Sequence, residues 1–210
     1  KKRIKEQDFL SGTGNIESFD VVESYVEEVT NNIKLKRPLN ISIDCGNGAA
    51  SVVAERIYKD LGCEVEGLFC NLDGKFPNHH PDPSRPENVK DLIKSVAKNS
   101  SDIGLAFDGD ADRLGVISPS GEMIFPDMQM ILFSEHILKK NPNSKIVFDV
   151  KCSKLLEEAI LKFKGTPLMS KTGHTFIKSM IRENGAILGG EMSGHIFFND
   201  RWPGFDDGVY

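Results

Sequence analysis

Twice along the 210 residues an apolar run ends on a carboxylate, passes through a loop of small residues and enters a helical repeat. In the first half, Leu39 to Ile43 read as a strand that stops at Asp44. The turn Cys45-Gly46-Asn47-Gly48 follows, then a helix carrying Ala50, Val53, Ala54, Ile57 and Leu61 on one face and closed by Gly62. Val65 to Phe69 is the next strand. In the second half, Ile146 to Phe148 stop at Asp149, a helix carries Leu155, Leu156, Ala159, Ile160 and Phe163, and Gly165 precedes a strand at Pro167 to Met169. Each half then gives a helix, a strand and a polar loop. Ile103 to Phe107 lead to Asp108, and Ala186 to Leu188 lead to Gly189-Gly190-Glu191. Such alternation predicts an α/β protein of two consecutive layered domains with similar topology, each a mixed sheet flanked by helices. Functional loops are then expected at the carboxyl ends of the strands.

The expected boundaries are a linker over 1–19, with a turn signal at Gly12 to Gly14, a first domain over 20–123 and a second over 124–210. Asp20 is placed to cap a helix with Val21, Val22, Tyr25, Val26 and Val29 as its apolar positions. Residues 71–86 form a long Pro-, Asn- and His-rich loop of the kind usually kept for function. Ser84 and Glu87 fit a capping box for a helix running to about Lys98. Leu114 to Ile117 and Met123 to Phe125 flank Pro119-Ser120-Gly121 as a hairpin. A helix with Met130, Ile131, Ser134, Ile137 and Leu138 opens the second half, and Phe176, Ile177, Met180 and Ile181 mark another.

Net charge is −5, and no basic stripe interrupts the chain, so nucleic acid is not an expected partner. No run approaches the ~20 apolar residues of a membrane span. The four cysteines, Cys45, Cys63, Cys70 and Cys152, form no C-x-x-C pair, which argues against a zinc ribbon and for a reduced, cytoplasmic protein.

Asp108-Gly109-Asp110-Ala111-Asp112-Arg113 carries the sharpest chemical signal. Carboxylates at alternate positions after a strand converge on one side of a tight loop, where they repel one another unless a cation sits among them. An all-oxygen set favours Mg²⁺ or Ca²⁺ over zinc. An EF-hand would need Gly where Arg113 stands and Glu where Pro119 stands. An aspartyl-nucleophile phosphatase would use Asp108 but usually has Thr or Ser where Asp112 stands. A solvated acidic turn is the plain alternative. Arg113 is either an ion-pair partner of these acids or a phosphate ligand.

Gly190-Glu191-Met192-Ser193-Gly194-His195 occupies the matching strand end of the second half. A carboxylate, a hydroxyl and an imidazole at alternate positions can hydrogen-bond adjacent sugar hydroxyls, and a polar turn is the alternative. Lys151 and His174 sit at equivalent loop ends, with His174 starting a helix where an anion is welcome. His79 and His80 read as loop residues near the cleft, and Trp202 and Phe205 as loop anchors.

These segments resemble the α-D-phosphohexomutase family. The resemblance lies in DCGNGA (44–49), HHPDPSRPEN (79–88), GLAFDGDADR (104–113), FDVKCS (148–153), KTGHTFIK (171–178), GEMSGH (190–195) and RWPGFDDG (201–208), in family order across nearly the whole chain. The nearest pattern is that of bacterial enzymes acting on both mannose and glucose phosphates. Glucosamine-phosphate mutases usually carry Gln where Met192 stands. The resemblance implies the second and third of four domains around one cleft. It implies Mg²⁺ on Asp108, Asp110 and Asp112, with Arg113 beside a phosphoserine. It also implies that Glu191, Ser193 and His195 read sugar hydroxyls, and that Lys151 and His174 contact a hexose phosphate. Arg113, Lys151 and His174 are the candidates for acid and base. The implied reaction interconverts hexose 1-phosphate and hexose 6-phosphate through a phosphoserine, with a hexose 1,6-bisphosphate as intermediate and activator.

Two departures bear on that reading. No serine segment like T-A-S-H-N-P occurs, and no Arg-rich phosphate loop of a fourth domain. The 210 residues alone are therefore expected to be an inactive piece of a larger enzyme, completed by its first and fourth domains. A non-catalytic sugar-phosphate or Mg²⁺-binding module is the competing expectation.

Overall fold

The computed structural model describes residue 9 and residues 12–210. The expected linker lies partly outside the described residues, and its remainder, 12–19, carries neither helix nor strand nor an assigned turn. Two sheets organise the rest. The first contains β1 (Asn40–Asp44), β2 (Glu64–Leu68), β3 (Ile103–Phe107), β4 (Leu114–Ile117) and β5 (Met123–Ile124) in the order β2-β1-β3-β4-β5. The second contains β6 (Lys145–Asp149), β7 (Thr166–Ser170), β8 (Leu188–Gly190) and β9 (Ile196–Phe198) in the order β7-β6-β8-β9. In each, three strands run parallel and the fourth turns back antiparallel. The expected pair of α/β units with shared topology is what the chain forms.

The helices follow from apolar spacing. They are α1 (Val22–Asn32), α2 (Ala54–Asp60), α3 (Lys90–Asn99), α4 (Pro126–Lys140), α5 (Lys154–Lys162) and α6 (His174–Asn184). In α1, Val26 and Val29 are buried while Val21 is 60% exposed, so only part of the expected stripe faces inward. Val21 rather than Asp20 stands at its N-cap, although the Val22 N–H donates to Asp20 Oδ1 at 2.9 Å. Pro126 stands at the first turn of α4, where its missing N–H costs nothing.

Three sequence expectations change. The helix after Gly48 is a 3₁₀ turn (Ala49–Val52) followed by the short α2, because Val53 at φ −132° breaks the run. Ser84 caps no helix: its hydroxyl donates to Asp82 Oδ1 at 2.7 Å, and α3 begins only at Lys90. The strand at Ala186 to Leu188 is shifted to Leu188–Gly190, and the short β9 adds an unforeseen partner to it.

One apolar cluster runs through both halves, from Val26, Ile43 and Ile57 through Phe107 to Ile137, Phe148 and Phe198. The last residues close it. Trp202 is 6% exposed and stacks on Tyr210 at 4.2 Å between ring centroids, as an anchor should, whereas Phe205 stays 45% exposed. Tyr25 donates to Asp207, and Tyr210 donates to Asn32 Oδ1 at 2.6 Å, so the tail packs back on α1. No helix among the described residues is long and apolar enough to cross a membrane.

Candidate functional site

Strands β1, β3, β6 and β8 all end on loops that carry chemistry. Asp108 directly follows β3 and is 2% exposed. Its Oδ2 accepts from Arg113 Nε at 2.6 Å and its Oδ1 from the Arg113 backbone N–H at 3.1 Å. Asp110 is exposed and Asp112 half-buried, and the three acids can bring carboxylate oxygens within 4.8 Å of one another. Burial, followed by the charges of Asp108 and Asp110, pushes the Asp112 carboxyl up to about 7. An oxygen-only cluster with that much uncompensated charge fits a hard divalent cation. Arg113 thus bonds both oxygens of Asp108, one through its side chain and one through its backbone.

The loop after β1 supports the acidic loop from beneath. A Cβ on Gly48 would lie 2.7 Å from the Gly109 carbonyl oxygen, so only glycine allows this close approach. The Ala49 N–H donates to the Gly109 carbonyl at 3.0 Å. The long 71–86 loop is tied to the same place. Asn78 Nδ2 donates to Asn47 Oδ1 at 2.7 Å, and His79 Nε2 lies 3.1 Å from Asp44 Oδ2. Burial raises the Asp44 carboxyl, and His79 opposes that shift. At the far end of the loop Asp82 reaches Arg113 Nη1 at 3.3 Å. His79 is thus a structural loop residue, as expected, and the loop brings a carboxylate that sequence reasoning did not single out.

In the second half Asp149 gathers three loops. It accepts from the Met192 N–H at 3.1 Å and from Thr172 Oγ1 at 2.9 Å, and Cys152 Sγ lies 3.2 Å away. Glu191 is 2% exposed. The Gly173 N–H donates to its Oε1, and Ser193 Oγ contacts its Oε2 at 3.4 Å. Glu191 and Ser193 thus face each other, whereas the His195 imidazole turns to Asp206 and Asp112. Lys151 stands apart: it is exposed beyond β6 and makes no ion pair among the described residues.

Asp206, from the tail, was not foreseen. Its Oδ2 lies 3.1 Å from Nδ1 of both His174 and His195, and its Oδ1 accepts from Lys178 Nζ at 3.0 Å. Burial works against its charge, yet Lys178 and His174 hold its carboxyl below the usual range. Burial lowers the His195 imidazole below the ordinary histidine value despite Asp206. The His174 and His195 rings lie 5.2 Å apart, and His195 Nδ1 is 3.5 Å from Asp112 Oδ1. Nothing local in the sequence marks Asp206, because it reaches the cleft only through tertiary packing of residues 199–210.

Two sequence models match this arrangement. One is described as phosphoglucomutase/phosphomannomutase, alpha/beta/alpha domain II, and matches residues 23–121; domain III of the same family matches residues 125–210. The chain belongs to the phosphoglucomutase/phosphomannomutase family. A phosphomannomutase/phosphoglucomutase of Pseudomonas aeruginosa is 48% identical over the whole chain, which covers 45% of that relative. A phosphoglucomutase of Neisseria gonorrhoeae is 52% identical over 94% of the chain and 43% of the relative. The chain thus spans under half the length of these curated relatives. The crystal structure of a phosphoglucomutase/phosphomannomutase family protein from Burkholderia thailandensis superposes with a TM-score of 0.97 at 51% identity, over all of this chain and 46% of that one. An N-acetylphosphoglucosamine mutase of Aspergillus fumigatus, solved with GlcNAc-6P and magnesium, shares the fold at TM-score 0.60 and 18% identity, over 86% of this chain and 40% of that one.

Proposed function

We propose that a protein carrying this chain interconverts hexose 1-phosphate and hexose 6-phosphate of mannose, glucose or both, through a phosphoserine and a hexose 1,6-bisphosphate. The observation that carries this reading is the juxtaposition of an acidic loop and a Glu-Ser-His loop through the backbone bridge between Arg113 and His195. The two chemistries the reaction needs, charge compensation at a phosphoryl group and recognition of sugar hydroxyls, thereby share one cleft.

Asp108, Asp110 and Asp112 would hold Mg²⁺, whose contribution when bound is to offset charge on phosphoryl oxygens. Arg113, fixed by Asp108 and Asp82, presents its guanidinium toward a phosphate. Glu191, with Ser193 and His195, orients vicinal hydroxyls, which suits a substrate that binds in two orientations. His174 offers an imidazole and a helix N-terminus to the distal phosphate. Lys151, exposed and flexible in reach, is the further cation for that phosphate. Arg113, Lys151 and His174 are the groups from which the proton-transfer residue comes. Since phosphoryl transfer depends mainly on positioning and electrostatics, rigid loops of this kind are the expected apparatus. The serine and a further phosphate-binding loop come from outside these 210 residues, and this chain alone does not turn over substrate. Free thiols at all four cysteines fit a cytoplasmic setting.

The test is a coupled assay of the full-length gene product with glucose 1-phosphate and mannose 1-phosphate in parallel. It contains Mg²⁺ and a bisphosphate activator, beside an Asp110→Asn control and the 210 residues alone. Turnover of either sugar, lost in the control and absent from the short chain, supports the reading. No turnover of either by the full-length protein overturns it in favour of a binding module.

A further inference from the structure

The acidic loop accounts for one cation, but a second set of donors converges beside it. One ring nitrogen each of His174 and His195, an Asp206 oxygen and an Asp112 oxygen all lie within 4.8 Å of one another. The observed separations are 3.1 Å for each histidine to Asp206 and 3.5 Å for His195 to Asp112. Four ligands around a tetrahedral ion at bonds of about 2.0–2.1 Å stand about 3.3–3.4 Å apart. Three of the six separations are already close to that spacing, and the other three lie within 4.8 Å.

The contact between His195 and Asp206 has a further peculiarity. His195 Nδ1 is buried and lacks a hydrogen-bond partner, although Asp206 Oδ2 is only 3.1 Å away. The two atoms meet in a direction unsuited to an N–H donor. Asp206 is also prepared as a single-oxygen ligand, because Lys178 occupies its other oxygen at 3.0 Å, the outer-shell support that metal-binding carboxylates commonly have.

We propose that His174, His195, Asp206 and Asp112 form a second cation site, selective for a borderline transition ion such as Zn²⁺. Two imidazole nitrogens with two carboxylate oxygens suit that class, whereas Mg²⁺ prefers oxygen alone. Asp112 belongs to both clusters, so a transition ion here competes with the cation of the acidic loop. It also withdraws His174 and His195 from any phosphate or sugar. On the mutase reading, the site is a built-in point of inhibition by transition metal. The inference concerns metal binding by this chain and stands whether or not the mutase reading holds.

The experiment is titration of the Mg²⁺-free 210-residue chain with Co²⁺, read by the visible absorption of four-coordinate Co²⁺, followed by displacement with Zn²⁺. One equivalent of four-coordinate Co²⁺ is expected, displaced by Zn²⁺. Asp206→Asn and His174→Gln should each weaken binding by roughly tenfold or more, while Asp110→Asn leaves the spectrum in place. Circular dichroism checks that each variant folds. Should Asp206→Asn misfold, His174→Gln, at a half-exposed position, decides alone. Absence of a four-coordinate spectrum overturns the proposal. So does a spectrum that Asp110→Asn abolishes while Asp206→Asn or His174→Gln spares it, since the ion would then sit in the acidic loop.

Discussion

The backbones of Arg113 and His195 pair in an isolated antiparallel bridge, and the Leu114 N–H donates to the Gly194 carbonyl at 3.2 Å beside it. The last residue of the acidic loop and the last residue of the Glu-Ser-His loop are therefore one structural unit. Gly194 makes this possible: at φ +103° a side chain is strained, and its Cβ would stand 3.1 Å from the Leu114 carbonyl oxygen. Gly194→Ala is expected to cost on the order of 1–3 kcal/mol in urea unfolding. An unchanged midpoint would mean that the bridge is not held in this geometry.

The acidic loop sets a pH dependence. Asp112 titrates at about 7 in the cation-free protein and near 3.9 when unfolded. Between about 4 and 7 the folded chain therefore binds more protons, and stability in chelator falls as pH rises through that window. On the proposed reading a cation displaces this proton, and Mg²⁺ affinity is then expected to rise with pH until about 7 and level off. Calorimetric titrations at pH 6 and pH 8 should show the difference, and Asp112→Asn should abolish the pH effect while weakening binding.

Arg37 and Asp102 give the opposite sign. The Arg37 guanidinium donates to both Asp102 oxygens, and with the Asn40 N–H it holds that carboxyl at about 2. Here the unfolded chain binds the extra proton between about 2 and 4. The pair's contribution is present above that window and is lost as pH falls through it. Acid titration of the wild type should show a steeper stability loss below pH 4 than that of Asp102→Asn; equal slopes would deny the pair its role.

Tyr25→Phe tests the clasp between α1 and the tail. The hydroxyl donates to both oxygens of Asp207 at 3.0 and 2.9 Å, and burial raises that carboxyl. Losing the donor leaves a half-buried carboxylate with backbone donors such as the Tyr210 N–H, at a cost of roughly 1–3 kcal/mol. A loss well below that range in thermal or urea unfolding would show that water replaces the hydroxyl freely.

Most of the scaffold was legible because β1, β3, β6 and β8 are short runs ended by a carboxylate or glycine, whereas β2 and β7 end on Leu68 and Ser170. Asp44, Asp108, Asp149 and Glu191 stand at or just beyond their strand ends. The acidic loop was legible for the same reason, since its residues are contiguous. What was missed depends on distance. Strand β9 has three residues, too few for a period to show, and exists because β8 offers an open edge. Asp82 and Asp206 act on Arg113 and the histidines from loops far away in sequence. Ser84 and Glu87 had the spacing of a capping box, but Asp82 captured the serine hydroxyl first.

The clasp of α1 by the tail also bears on when the molecule can finish folding. Tyr25 and Asn32 find their partners 182 and 178 residues later. During synthesis the β1-β2-β3 layer can assemble while the second half is still being made. The outer face of α1 cannot be completed until residues 201–210 have emerged. Closing so long an interval is entropically slow. Helix α1 is therefore locked only after the second half has been made, and its outer face stays open until then.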